Sequence, residues 1–218
     1  MTDRTRARTL AHESIRRGDA VGWFEQLYEE ASRGDTVVPW ADLVANPFVV
    51  EWLAREAPTP GRALDVGTGL GDTAEELARR GFEVVAFDVS PTAIAGARRR
   101  FPSSPVDYRV ADVFRLPADF VAAFDLVVEC YTLQVLPAAV RAEAAVAIGR
   151  SVAPGGTLLI VARGREPDEP EGQMPWPLTR GEIEAAASGD LRLTSFEDFV
   201  DREEPPVRRF RAAFRRGS

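Results

Sequence analysis

Between Leu64 and Ser90 the chain reads LDVGTGLGDTAEELARRGFEVVAFDVS, and no other stretch restricts the fold as much. Two short apolar runs, 62–66 and 83–89, flank a glycine-rich turn and an amphipathic segment. The runs are too short for helices and contain several valines, so they predict buried strands. The segment between them predicts a short helix, with Asp72 placed to cap it and Gly81 to end it. Glycines at 67 and 69 would let the main chain approach a bulky ligand, and a helix N-terminus offers unpaired N–H groups. Asp65 precedes the turn. Asp88 ends the second run, where a carboxylate is placed to accept both hydroxyls of a ribose.

The same alternation continues downstream, which predicts an α/β domain with a largely parallel sheet. SPTAIAGARRRF begins with a Ser-Pro pair suited to a helix start, VDYRV (106–110) reads as a third strand and FDLVVECY (124–131) as a fourth. PAAVRAEAAVAIGRSVAPGG reads as a long helix stopped at Pro154-Gly155-Gly156, followed by the strand TLLIVA. The Pro- and acid-rich run 165–177 reads as a surface loop, LTRGEIEAAA as a capped helix and LRLTSFEDFV as a strand. PVRRFRAAFRR fits both a strand, through Phe210, Ala212 and Phe214, and a helix, through Val207, Phe210 and Phe214. Residues 1–60, with Trp23, Trp40 and Trp52, predict an N-terminal helical cap, and 61–218 the sheet-bearing part of one structural unit.

Absences in the composition narrow the chemistry. All 27 basic residues are Arg, so there is no phosphate-loop lysine, Schiff-base lysine or lysine nucleophile. With one His (His12) and one Cys (Cys130), the usual zinc sites are excluded and no metal ligands are expected. A hydrolytic triad is equally short of parts. The net charge of −7 argues against nucleic acid as the partner. No apolar run approaches the ~20 residues of a membrane span, and the Arg-containing N-terminus lacks the apolar segment of a secretory signal. The expected location is the cytoplasm, and the oligomeric state is left open. Chemistry carried by a cofactor survives all these exclusions.

Two ligand classes use such a turn, dinucleotides and S-adenosylmethionine. The dinucleotide fingerprint is G-x-G-x-x-G, whereas here the spacing is Gly67-x-Gly69-x-Gly71, with Asp72 at the position of the last fingerprint glycine. An acid there is awkward beside a pyrophosphate and suits the ammonium of a methionine moiety. ALDVGTGLGDTAEELARRGFEVVAFDVSPTAIAGAR resembles the opening of a class I S-adenosylmethionine-dependent methyltransferase. VADVF, FDLVVECYTLQVLP and VAPGGTLLIV are similar to later motifs of that family, so that the likeness covers about residues 60–162. The resemblance implies a doubly wound, seven-stranded, mostly parallel Rossmann-like sheet with its last strand antiparallel, which favours the strand reading of the C-terminal run. It implies S-adenosylmethionine as cofactor, with Asp65, Gly67, Thr68, Gly69 and Asp72 at the methionine end. Asp88 and Val89 would face the ribose, Asp112 and Val113 the adenine, and Glu129 the region of the methyl. The segments 23–54 and 174–184 resemble the thiopurine, thiol and halide methyltransferase branch, in which a Trp-rich segment folds over the cofactor. Thr68 stands where that branch usually carries Cys, and Glu129 where Asp is common.

Glu129 and Tyr131 end a parallel strand, where such sheets place ligands, and they are the expected catalytic pair. Strand alternation turns Cys130 to the opposite face. Trp40, Tyr131 and Arg163 are the expected substrate contacts, and Arg98–Arg100 read as a solvated face. The expected reaction is methyl transfer to a small molecule. Without Lys or a nearby His as base, a soft nucleophile such as a thiol or halide is favoured. The alternatives are O- or N-methylation of a specialised metabolite, an NAD-dependent reductase, and a protein that binds S-adenosylmethionine without turnover.

Overall fold

The computed structural model describes residues 4–218, so the first three residues of the expected cap lie outside what is described. Its strands are β1 (Arg62–Val66), β2 (Glu83–Asp88), β3 (Asp107–Val110), β4 (Phe124–Cys130), β5 (Val152–Arg163), β6 (Leu191–Val200) and β7 (Arg208–Arg216). They form one seven-stranded sheet in the order β3-β2-β1-β4-β5-β7-β6. The pairings from β3 across to β5 are parallel, and β7 runs antiparallel to both β5 and β6. This is the doubly wound methyltransferase-type fold. The C-terminal run is a strand because its alternation serves both faces. Phe210, Ala212 and Phe214 enter the core on one side, while Arg209 and Arg211 lie buried on the other among acids.

The helices are α1 (Arg4–Arg16), α2 (Trp23–Ser32), α3 (Pro47–Glu56), α4 (Asp72–Arg79), α5 (Pro91–Arg100), α6 (Ala138–Arg150) and α7 (Arg180–Glu184). Trp52, Leu77 and Ile94 of α3, α4 and α5 pack on one sheet face against Ala63, Val128 and Leu159. Ile148 and Ile183 of α6 and α7 pack on the other against Leu64, Val127 and Leu158. A third cluster joins Leu10, Trp23 and Leu27 of α1 and α2 to Val135 and Met174, with Trp40 against it. The three N-terminal tryptophans therefore divide: Trp52 belongs to the sheet's own layer, Trp23 and Trp40 to the helices beyond it. None of the described helices is long and apolar enough to cross a membrane.

Several local readings change. Helix α6 ends at Arg150, and the strand begins at Val152 and runs through the Pro-Gly-Gly triplet. A register shift opposite Phe124 and Leu126 absorbs the irregularity, and Gly155 takes φ +71°. A Cβ on Gly156 would lie 2.8 Å from the Phe124 carbonyl, so the second glycine is there for a close strand approach. The cap of α4 is Gly71, at φ +90° and with no side-chain cap bond. Asp72 is the first helical residue, and its two oxygens take a bidentate pair from Arg100 at 2.7 and 2.8 Å. Arg100 is therefore not part of a solvated face: its fork fixes α5 to the glycine turn. The run 165–177 is only partly surface, since Met174 is buried.

One side chain ties the first helices to the sheet. Glu25 of α2 accepts from the Thr92 amide at 3.1 Å and the Thr92 hydroxyl at 2.7 Å, and also from the Ser90 hydroxyl. These bonds sit at the N-terminus of α5, where a carboxylate also meets the positive end of the helix. Replacing Glu25 by Ala is expected to lower unfolding stability by about 1–2 kcal/mol, the scale of charge-assisted bonds at a half-buried position. An unchanged urea midpoint would show that α2 is held by its apolar face alone.

Candidate active site

The C-terminal ends of β1, β2, β4 and β5, with the turn after β3, open into one cavity of about 410 Å³. The chain leaves β1 towards β3 on one side and resumes at β4 on the other, so this is the sheet's topological switch point. Phe24 and Tyr28 of α2, the Pro39–Trp40 stretch and the Met174–Pro175 stretch border the cavity as well.

The glycine turn is held by the acids around it. Gly67, Gly69 and Gly71 have φ of 64°, 55° and 90°, which side chains disfavour. A Cβ on Gly67 would sit 2.3 Å from the Thr132 hydroxyl oxygen. The Thr68 hydroxyl donates to Asp65 at 2.6 Å. Asp88 takes the Gly69 amide on one oxygen and the Ser90 amide on the other, both at 2.9 Å. Both acids are buried, and neither has an ion-pair partner among the described residues. Burial raises the Asp65 carboxyl to about 7, against the pull of the Thr68 bond and with Asp88 adding to the rise. Burial raises Asp88 to about 6, opposed by the Ser90 and Gly69 amides. Asp112 accepts from the Phe114 amide at 2.9 Å, and with Val89 and Val113 it borders the cavity beyond β2 and β3.

Beyond β4 the lining changes character. Tyr131 lies at φ 70°, and its amide donates to the Val161 carbonyl at 3.0 Å, which turns the chain away from the strand. Asn46, the N-cap of α3, lies beside the phenol, and the Arg209 guanidinium lies 5.1 Å from the ring centroid. Burial holds the phenol well above its usual range, so it is a neutral donor and acceptor. The Trp40 indole donates to the Tyr28 hydroxyl at 3.2 Å and stands edge-on to Trp23. Arg163 is half-buried at the cavity wall, with its amide donating to the Gln134 side chain at 2.7 Å.

Glu129 is not where its position suggested. It is fully buried, and one oxygen takes the Thr132 and Leu133 amides at 2.7 and 2.9 Å. Its other oxygen has no partner, and the residue does not line the cavity. Burial raises its carboxyl to about 7. The turn at Tyr131 explains the misreading. It folds 132–133 back over Glu129, while Cys130, expected on the far side, borders the cavity. Gln134, Arg209 and Glu203 were not foreseen. The signal for Gln134 was one polar residue inside the apolar run TLQVLP; Arg209 lay in the run that fitted both strand and helix, and Glu203 just before it.

The cradle fits S-adenosylmethionine on its own geometry. A turn that a Cβ would fill, two buried carboxylates without a cation, and a cavity that continues past the third strand match a ligand with an ammonium, a ribose and a flat base. A methyltransferase domain family matches residues 63–156. The match spans a little under half of the chain and takes in the glycine turn, β1, β2 and β4. A ubiquinone biosynthesis O-methyltransferase of Xanthomonas campestris pv. campestris is 37% identical over 128 residues, 56% of this chain and 52% of that protein. The chain thus spans about half the length of the curated relatives it matches. Among solved structures, one described for the conversion of a disulfide bond into a thioacetal group during echinomycin biosynthesis has a TM-score of 0.72 at 21% identity. It covers 88% of this chain and 91% of its own. The N-methyltransferase NodS of Bradyrhizobium japonicum, solved with S-adenosylhomocysteine, has a TM-score of 0.67 at 21% identity, covering 88% and 99%. These likenesses agree on a methyltransferase domain and fold, and they do not single out the thiol and halide branch.

The three raised acids set a pH dependence. Asp65, Asp88 and Glu129 move from 3.8, 3.8 and 4.5 to about 7, 6 and 7 on folding. Between about pH 4 and 7 the folded state therefore binds more protons than the unfolded one, so stability falls as pH rises through that window. The ligand-free Tm is expected to drop between pH 5 and 8, and to drop less with S-adenosylhomocysteine bound, whose ammonium favours the ionised acids. A Tm that rises steadily from pH 5 to 8 would contradict the buried, cation-free placement of these groups.

Proposed function

We propose that the chain transfers a methyl group from S-adenosylmethionine to a small molecule whose accepting atom arrives already ionised or intrinsically nucleophilic, a thiolate or halide-like centre. The observation that carries this reading is the pairing, in one cavity, of the acid-lined glycine turn with an opposite wall on which, among the described residues, no His or Lys stands. The cofactor supplies an electrophilic methyl on a sulfonium. Asp65 and the 67–69 turn are assigned to its amino-acid end, Asp88 and Val89 to the ribose, and Asp112 and Val113 to the adenine. Asp72 borders the same space, with Arg100 already holding its carboxylate. Tyr131 is assigned to orienting the acceptor, while Trp40 and the residues of α1 and α2 exclude water. The protein's task is alignment, and the acceptor brings the reactivity.

A second reading, O-methylation, is favoured by the likeness to a ubiquinone biosynthesis O-methyltransferase. An acidic phenol would reach the same site as its anion and need no more of a base than a thiol. Acceptors of both kinds, tried with the same protein, separate the readings. Binding without turnover of any acceptor would leave a protein that only captures the cofactor.

Calorimetry is expected to show micromolar binding of S-adenosylmethionine and S-adenosylhomocysteine and none of NADH. Asp88→Asn should weaken the former by about 1.5–3 kcal/mol, the loss for bonds to a charged group. Tight NADH binding would overturn the assignment. Glu129→Gln keeps the oxygen that holds the 132–133 turn, and it is expected to change kcat less than tenfold. A loss beyond about a thousandfold with cofactor affinity intact would make Glu129 a base after all and point to a hydroxyl or amine acceptor.

A further inference from the structure

We propose that the methyl acceptor carries a carboxylate and that Arg163 is the residue that recognises it, a reading that rests on the methyltransferase assignment above. Arg163 closes β5 with its backbone fixed on both sides. Its amide donates to Gln134 and its carbonyl accepts from the Leu178 amide at 2.8 Å. Its guanidinium lines the cavity without an ion pair or side-chain hydrogen bond to any described residue.

Its neighbours are not in that state. Arg209, its partner across the β5–β7 ladder, is held by Asp201 at 2.6 Å and Glu203 at 2.5 Å. Arg165 reaches Glu182. Glu203, the acid that borders the cavity at this end, is thereby engaged, and Arg4 of α1 adds a further cation to the same wall. Burial, with Arg4 and Arg209 nearby, lowers the Arg163 pKa, and Glu203 and Tyr131 oppose the shift without reversing it. A half-buried guanidinium left unpaired costs free energy that an incoming anion recovers. The planar fork suits a carboxylate in bidentate contact.

Position separates this anion from the cofactor's own carboxylate. The glycine turn and Asp65 belong to β1, and the adenine and ribose positions run away from it over β2 and β3. Arg163 stands on β5, two strands to the other side of β1. At the usual strand spacing that is roughly 10 Å from the turn. Between them lies Tyr131, and the nearby wall is apolar, with Phe24, Val135, Met174 and Pro175. An aromatic acid whose accepting atom points back towards β1 fits that sequence of surfaces.

The test uses the full chain saturated with S-adenosylhomocysteine and titrated with matched probes: 4-mercaptobenzoate against thiophenol, and 4-hydroxybenzoate against phenol. The carboxylated member of each pair is expected to bind the unaltered protein at least about tenfold more tightly, the scale of a charge-assisted bond. Arg163→Gln should erase that preference and Arg163→Lys retain part of it, with S-adenosylhomocysteine affinity within about twofold throughout. Equal affinity within the pairs, or no carboxylate binding at millimolar levels with the cofactor product bound, overturns the proposal. A loss of S-adenosylhomocysteine affinity in Arg163→Gln overturns it differently, by giving Arg163 to the cofactor's carboxylate. Failure of the unaltered protein to bind S-adenosylhomocysteine at all would instead sink the methyltransferase reading.

Discussion

Three carboxylates, those of Asp65, Asp88 and Glu129, are buried at one end of the sheet, and none is matched by a cation among the described residues. Taking such charges out of water costs several kcal/mol each unless they are paired or protonated. The chain meets the cost with hydrogen-bond donors from the turns themselves. Asp88 gathers the amides of Gly69 and Ser90, Glu129 those of Thr132 and Leu133, and Asp65 the Thr68 hydroxyl. Each acid therefore fixes the course of the loop that leaves a strand. The positive φ angles of Gly67, Gly69 and Gly71 are the backbone's side of the same arrangement. With the loops so fixed, the strand ends leave a cavity instead of closing on one another.

The cavity is polarised. Its β1–β2 side presents the buried Asp65 and Asp88, while the β5 side presents Arg163 beside the paired Arg209. On the proposed reading the first side receives a cationic cofactor and the second an anionic acceptor, which brings opposite charges to the two ends of one transfer. Tyr131, held between Asn46 and Arg209, stands at the junction. Helix α2 borders the cavity through Phe24 and Tyr28 and α1 through Arg4 and Ala7, and Glu25 fixes α2 to the N-terminus of α5.

Much of this was legible in the residues, for physical reasons that differ from place to place. Strands β1, β2 and β4 are short, mostly apolar runs buried on both faces, which leaves them little other reading. The glycine spacing and the acids at 65 and 88 had few alternative explanations. What escaped was whatever depends on a partner distant in sequence. Asp72 read as a cap because its helix begins there, but Arg100, on the next helix, claims it. Arg209 and Arg211 carried no expected partner in a run that fitted both strand and helix, yet they pair inward on Asp201 and Glu197. The Pro-Gly-Gly triplet read as a helix stop, since a strand irregularity is visible only against the strand it faces. Glu129 misses the cavity because a single left-handed residue, Tyr131, turns the chain so that the 132–133 amides close over its carboxylate.

The most direct test is a crystal structure of the chain with S-adenosylhomocysteine. The expected result puts its ammonium against the Asp65 turn, its ribose hydroxyls on Asp88, and its sulfur facing the Tyr131 side of the cavity, with open space beyond it bounded by Arg163. A ligand lying reversed, with its base towards β5, or a sulfur sealed off from that space, would contradict the assignment of the two sides.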